Sequence, residues 1–308
     1  MVLLLAVAYT DGETKIYKLY FLGGQSNMVG YGYVEELPHE LNLGVHDVMI
    51  FEGQSALDGD RSGGKGFWAP LTPGHGKGFR TDGRTIELSD RFGPELSFGL
   101  ALSSNSPETG IALVKYALGG SGLGPGVGHG SWHPTHKNGH NLNQFDHALR
   151  TLRNALSDRD IDGDGVRDRL VPAGIIWMQG ESDANKNRET AEAYGENLTS
   201  LVRALRAALK DNDLPVVIGK ITDSGMADDG SVMDFIADVQ AAQAAFVAAD
   251  RCAEFVSVTD NLNYFDEIHY DTEGMIRLGA AFAEAVLRLE KKCQSTQGNA
   301  GNRANAAD

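Results

Sequence analysis

Four short stretches hold side chains that could do chemistry together. Gly23-Gly24-Gln25-Ser26-Asn27-Met28 puts a serine at a glycine-rich exit from an apolar run, where a tight turn presents its hydroxyl as a candidate nucleophile. Asp266-Glu267-Ile268-His269-Tyr270-Asp271 has an aspartate three residues before a histidine. At that spacing the Asp266 carboxylate can accept the imidazole N–H, fix the tautomer of His269 and stabilise the imidazolium formed when it takes a proton. In Ala117-Leu118-Gly119-Gly120-Ser121-Gly122 the glycines let backbone N–H groups approach a ligand with no side chain intervening, as an oxyanion hole requires. In Trp177-Met178-Gln179-Gly180-Glu181-Ser182-Asp183 the neutral amide of Gln179 is a donor suited to the same developing charge. Each stretch alone also reads plainly: a turn, a flexible loop, a surface histidine beside carboxylates, or acids at a helix start favoured by its dipole, the reading preferred for Asp183.

The elements that must position these residues follow from hydrophobic periodicity. Short apolar runs near 16–23, 110–117, 173–179, 215–221 and 254–259 read as strands. Longer amphipathic runs near 94–104, 141–156, 188–210, 232–248 and 273–290 read as the helices between them, with Pro94 suited to a first turn. This alternation predicts an α/β fold: a three-layer α/β/α sandwich on a five-stranded parallel sheet. Ligands of such sheets bind beyond the carboxyl ends of the strands, and the four stretches fall at strand ends. Residues 30–93 read as a long glycine-rich functional loop, and 291–308 as a disordered tail. One domain over 15–290 is expected, after an N-terminal segment 1–14.

Bulk composition bounds the function. With 42% hydrophobic and 22% charged residues, the 308-residue chain can bury a sizeable core. A formal charge of −15 opposes binding to nucleic acid or an anionic membrane, and points to a neutral substrate. No apolar run reaches the ~18 residues of a membrane span. The apolar start Met1–Ala8 has the length of a signal-peptide core without the preceding basic residues, so a signal remnant and a first strand both stand. Cys252 and Cys293 are too few for a disulfide framework and leave the compartment open.

In combination and in order, the four stretches resemble the SGNH hydrolases, whose fold is flavodoxin-like. The resemblance is closer to the sialate O-acetylesterase and acetylxylan esterase-like branch, similar to carbohydrate esterase family 6. The motifs that carry it stand at Gly24 to Gly30, Trp68 to Leu71, Phe92 to Gly99, Lys115 to Gly120, Trp177 to Asp183 and Asp266 to Asp271. It covers nearly all of 16–290.

The resemblance implies a serine esterase that removes O-acetyl groups from carbohydrates through an acyl-enzyme, with no catalytic cofactor. Ser26 would be the nucleophile, His269 the general base and then acid, and Asp266 the residue orienting it. The oxyanion hole would comprise the Ser26 amide, the Gly120 amide (Gly119 if the register shifts by one) and the Gln179 side chain, which stands where most SGNH enzymes carry Asn. Glu181 would lie behind the hole or replace Asp266 as the acid. A non-catalytic carbohydrate-binding module and a lipase or thioesterase on the same fold are the competing readings. The first has no need of an activated nucleophile, and no apolar lid segment marks the second.

Two further stretches concern metals and sugar. Asp160, Asp162, Asp164, Gly165 and Asp168 fall at positions 1, 3, 5, 6 and 9 of an EF-hand-like loop, with Asp158 nearby and Val171 where position twelve expects glutamate. Structural calcium is the expectation, against a solvated acidic turn. A weak calcium site fills more readily outside the cell, which favours a secreted or periplasmic protein over a cytoplasmic one. The four histidines of 128–140 suggest a metal only weakly, whereas Trp132 among them reads as either a sugar platform or a buried ring.

Overall fold

The structure is a computed structural model that describes residues 13–136 and 142–304. Most of the segment 1–14, His140 of the histidine-rich stretch and residues 305–308 of the expected tail lie outside the described residues.

Seven strands form the central sheet: β1 (Ile16–Gly24), β2 (Val45–Glu52), β3 (Trp68–Leu71), β4 (Gly110–Ala117), β5 (Arg169–Met178), β6 (Val216–Gly219) and β7 (Ala253–Val256). Their spatial order is β7-β6-β5-β1-β4-β2-β3. All neighbours run parallel except β3, which pairs antiparallel with β2 at one edge. β1 is therefore central, flanked by β4 and β5. Leu19, Tyr20, Phe21 and Leu22 of β1 are buried whichever way they point, because helices cover both faces of such a sheet.

The helices that cover the sheet or build the site are α1 (Ser26–Val29), α2 (Glu95–Asn105), α3 (Gln144–Ser157), α4 (Glu181–Lys186), α5 (Arg188–Leu209), α6 (Ile236–Ala249) and α7 (Thr272–Ala304). One group packs α2 against α7, and the other packs α5 against α3 and α6. A reciprocal capping box starts α3: Asn143 Oδ1 accepts from the Asp146 amide at 2.9 Å, and Asp146 Oδ2 accepts from the Asn143 amide at 3.1 Å.

The α/β architecture and all five expected strands are present, but the sheet has two more. β2 and β3 lie inside 30–93, which periodicity assigned to irregular loop. In β2 exposed His46 and Asp47 follow Val45 and cut the apolar run to the four residues Val48–Phe51, while β3 carries Pro70, which only an edge strand tolerates readily. α7 also runs past its expected end at 290, taking in part of the segment read as a disordered tail. Leu289 and Cys293 are buried, and Cys293 is disulfide-bonded to Cys252, which anchors the helix beyond Glu290.

Candidate active site

The site is built where β1 ends. Gly24 holds φ of 150° so close to β5 that a Cβ there would stand 1.9 Å from the Met178 carbonyl oxygen. Only glycine fits, and the chain turns at once into α1 with Ser26 as its first residue. The first amides of a helix have no partner within it, so the Ser26 N–H is left for another acceptor. At the other end of α1, the buried Lys115 ammonium donates to the Val29 carbonyl at 2.9 Å and to Glu95 Oε2 at 2.8 Å. Burial pushes the Glu95 carboxyl up, against the opposing pull of Lys115.

His269 enters from the loop after β7. Its Nδ1 lies 2.7 Å from Asp266 Oδ2, and Asp266 Oδ1 accepts the amides of Ile268 (2.9 Å) and His269 (2.8 Å). Partial burial raises the Asp266 pKa, but the imidazole and these amides outweigh it and hold the carboxyl below its usual range. The Tyr31 ring stacks on His269 with centroids 3.6 Å apart and planes 5° from parallel. Asn27 ties this loop to α1: its Nδ2 donates to the Ile268 carbonyl at 3.1 Å, and its Oδ1 accepts the Tyr270 amide at 3.2 Å. Ser26 and His269 line one cavity of about 650 Å³, with Tyr31, Gly119, Gly120 and Glu181 also on its wall.

The glycine loop after β4 reaches the same cavity. A Cβ on Gly119 would stand 3.5 Å from Ser26 Cβ, whereas one on Gly120 would strike His129 Cδ2 at 2.7 Å. The loop is held from below by Asp183. Its carboxylate accepts the Leu123 amide at 2.9 Å, the Gly124 amide at 2.9 Å and Gln179 Nε2 at 2.6 Å. Burial pushes the Asp183 carboxyl up, although those bonds favour its charge.

Several sequence expectations change here. Gln179 is fully buried and is not on the cavity wall. Its Nε2 faces three acceptors, Asp183 Oδ2, Gln25 Oε1 at 3.2 Å and the Ser121 carbonyl at 3.3 Å, so its donors serve the loop rather than the cavity. Asp183 is more than a helix-start carboxylate, since it bonds across to the glycine loop. Glu181 lies at the wall, buried, with Oε1 accepting from Asn27 Nδ2 at 2.7 Å and burial raising its pKa. It does not replace Asp266, which is the acid on the imidazole. Trp132 is fully buried against Trp177, its Nε1 donating to Ser121 Oγ at 2.8 Å, which removes it as a sugar platform.

Sequence reasoning passed over Asn27 and Tyr31. Asn27 sits inside the quoted serine motif, and its adjacency to Ser26 was the available signal. Tyr31 had none, because its partner is 238 positions away (269 − 31).

In the acidic loop, ligand oxygens of Asp160, Asp162 and Asp168 lie within 4.8 Å of one another, the one such acidic or histidine group among the described residues. Asp164 turns away: its Oδ2 accepts from Lys15 Nζ at 3.0 Å, and the same ammonium pairs with Asp162. Lys15 thus supplies the loop with a positive charge that neither the calcium expectation nor the solvated acidic turn included.

A serine at the exit of the central strand and an Asp–His pair thus line one cavity on an open α/β sheet. Residues 16–288 match the family model described as "Carbohydrate esterase, sialic acid-specific acetylesterase", and the chain belongs to that family. It is a carboxylic ester hydrolase, of a family that needs no cofactor for catalysis.

Among solved structures, the chain is similar to a protein from Arabidopsis thaliana at 20% identity and TM-score 0.60, covering 88% of this chain and 98% of that one. A carbohydrate acetylesterase from Xanthomonas citri is similar at 17% identity and TM-score 0.60, over 88% of this chain and 57% of that one. NanS follows at 16% and 0.57, over 91% and 99%. The comparison with curated proteins finds no match. No described helix is long and apolar enough to cross a membrane.

Proposed function

We propose that the protein removes O-acetyl groups from carbohydrates, of the acetylxylan or sialate type, through an acyl-enzyme on Ser26. His269 Nε2 takes the Ser26 hydroxyl proton as Oγ attacks the acetyl carbonyl, and the Ser26 and Gly120 amides receive the oxyanion. The imidazolium, steadied by Asp266, then protonates the departing sugar oxygen and leaves acetyl-Ser26. Water, deprotonated by His269, attacks that ester, and acetate leaves as Ser26 recovers its proton. Gln179 and Asp183 act through the glycine loop, holding its amides in place. The observation that carries this reading is the His269 ring, bonded to Asp266 and stacked by Tyr31, on the wall of the cavity that contains Ser26.

The family description and the acetylesterase neighbour from X. citri support the acetyl group and the sugar. Two further parts belong to the proposal. The Cys252–Cys293 disulfide supports a secreted or periplasmic location, where such bonds persist. The convergence of Asp160, Asp162 and Asp168 supports a structural calcium that Asp164 joins on leaving Lys15, clamping the entry to β5.

The test is initial-rate acetate release from 4-nitrophenyl acetate, acetylated xylan and O-acetylated sialic acid, by wild type and Ser26→Ala. Release by the wild type from the simple ester and at least one sugar, with none by Ser26→Ala, is the expected result. Equal rates for the two proteins would overturn it.

A further inference from the structure

A second depression, of about 360 Å³, adjoins the catalytic cavity. Tyr31, whose ring stacks on His269, lines both. Its other walls include Tyr33, Phe265 and Ile276 on the apolar side and Glu36, Asp271 and Glu273 on the polar side.

Those two kinds of wall match the two kinds of surface on a pyranose ring, C–H faces that pack on aromatic rings and hydroxyl edges that donate to carboxylates. Phe265 remains 46% exposed, although large apolar side chains in this protein are mostly buried. Tyr33 is braced rather than loose. The Arg91 guanidinium lies 3.3 Å from its ring centroid, while Arg91 Nη1 donates to the Tyr31 carbonyl at 2.7 Å. One residue thereby fixes both tyrosines. The carboxylates are also set: Glu36 accepts the Thr272 hydroxyl, and Asp271 Oδ1 accepts the Gly274 amide at 2.7 Å. No Lys or Arg is on the wall itself; Arg91 lies against the Tyr33 ring and 5.3 Å from the Phe265 ring centroid, one cation outnumbered by three carboxylates, which would repel a carboxylated sugar and accept hydroxyls from a neutral one.

We propose that this depression is a subsite for a neutral glycosyl unit, next to the unit whose acetyl group is hydrolysed at Ser26. It rests on the esterase reading and deepens it: the substrate is an oligo- or polysaccharide of neutral sugars rather than a free monosaccharide. Binding there is made equally in ground and transition states, so it lowers KM for the longer substrate and leaves the chemistry alone.

The test compares acetylated xylotetraose with acetylated xylose, with 4-nitrophenyl acetate as the reference for the chemical step. Variants are Phe265→Ala, which removes the platform, and Ile276→Trp, which fills the depression from α7. The expected result is a kcat/KM for wild type about tenfold higher on the tetraose than on the monomer, an advantage that both variants lose through KM while hydrolysis of 4-nitrophenyl acetate is kept. A wild type that treats tetraose and monomer alike overturns the subsite, as does an advantage that persists in Ile276→Trp. Failure of the wild type on 4-nitrophenyl acetate would instead remove the esterase reading beneath it. In a parallel titration of Ser26→Ala with unacetylated xylotetraose and with N-acetylneuraminic acid, chemical-shift changes at Phe265 and Ile276 are expected with the first. Changes with the second alone contradict the neutral assignment.

Discussion

Three restraints act on the His269 ring: the Asp266 carboxylate on Nδ1, the Tyr31 face, and the Asn27 side chain holding the peptide groups on either side. Asp266→Asn keeps the shape but allows the wrong tautomer. It is expected to lower kcat on 4-nitrophenyl acetate on the order of 10²- to 10⁴-fold with little change in melting temperature. Glu181 makes a separate prediction about pH. Its folded pKa is raised by burial, so the native state binds its proton more tightly than the unfolded chain does. Stability therefore falls as pH rises from the unfolded pKa through the folded one, and the full penalty is present above the latter. Glu181→Gln removes that penalty. Its melting temperature relative to wild type should climb with pH and match wild type in acid below the ordinary glutamate pKa. A difference independent of pH would show that Glu181 acts only by packing.

At the scale of elements, three of the four candidate stretches were readable because each follows directly on a strand that periodicity could find, whereas Asp266 and His269 stand well past β7, beyond the turn Val258–Asn261. β1, β4 and β5 are apolar on both faces and stand out; Ser26, the Gly119–Gly120 pair and Gln179 follow them directly. What escaped was what depends on contacts between distant segments. β2 joins the sheet by pairing with β4 and carries β3 on its other edge, the donors of Gln179 are turned inward by Asp183 and Gln25, and Lys15 reaches the acidic loop from far along the chain. The acidic loop gives a prediction that separates ion from lysine. If calcium clamps the entry to β5, millimolar calcium should raise the melting temperature and a chelator lower it, without a change in kcat, and Lys15→Ala should strengthen the calcium response by freeing Asp164. A melting temperature insensitive to calcium in both proteins would contradict the calcium clamp and leave the Lys15 ion pairs with Asp162 and Asp164 as the loop's restraint.

For the whole molecule, the charge of −15 sets a long-range field that contact geometry does not. Lys77 lies on the cavity wall, yet a single ammonium attracts an anion only near contact, whereas the net charge acts out to a Debye length of ~10 Å at ~0.1 M salt. The kcat/KM for an anionic sialyl ester should therefore rise as salt is added from low ionic strength, while that for a neutral xylosyl ester stays flat. A fall for the sialyl ester with salt would mean that local attraction by Lys77 dominates and would favour an acidic substrate.

The central claim is that Ser26 becomes covalently acylated with the help of His269. The most direct measurement is intact-mass and peptide mass spectrometry after treatment with a serine-reactive phosphonate ester. The account predicts one adduct per chain, on the peptide containing Ser26, with loss of esterase activity in step with labelling and far slower labelling in His269→Ala. An adduct on another serine, or full activity in a protein labelled at Ser26, would contradict it.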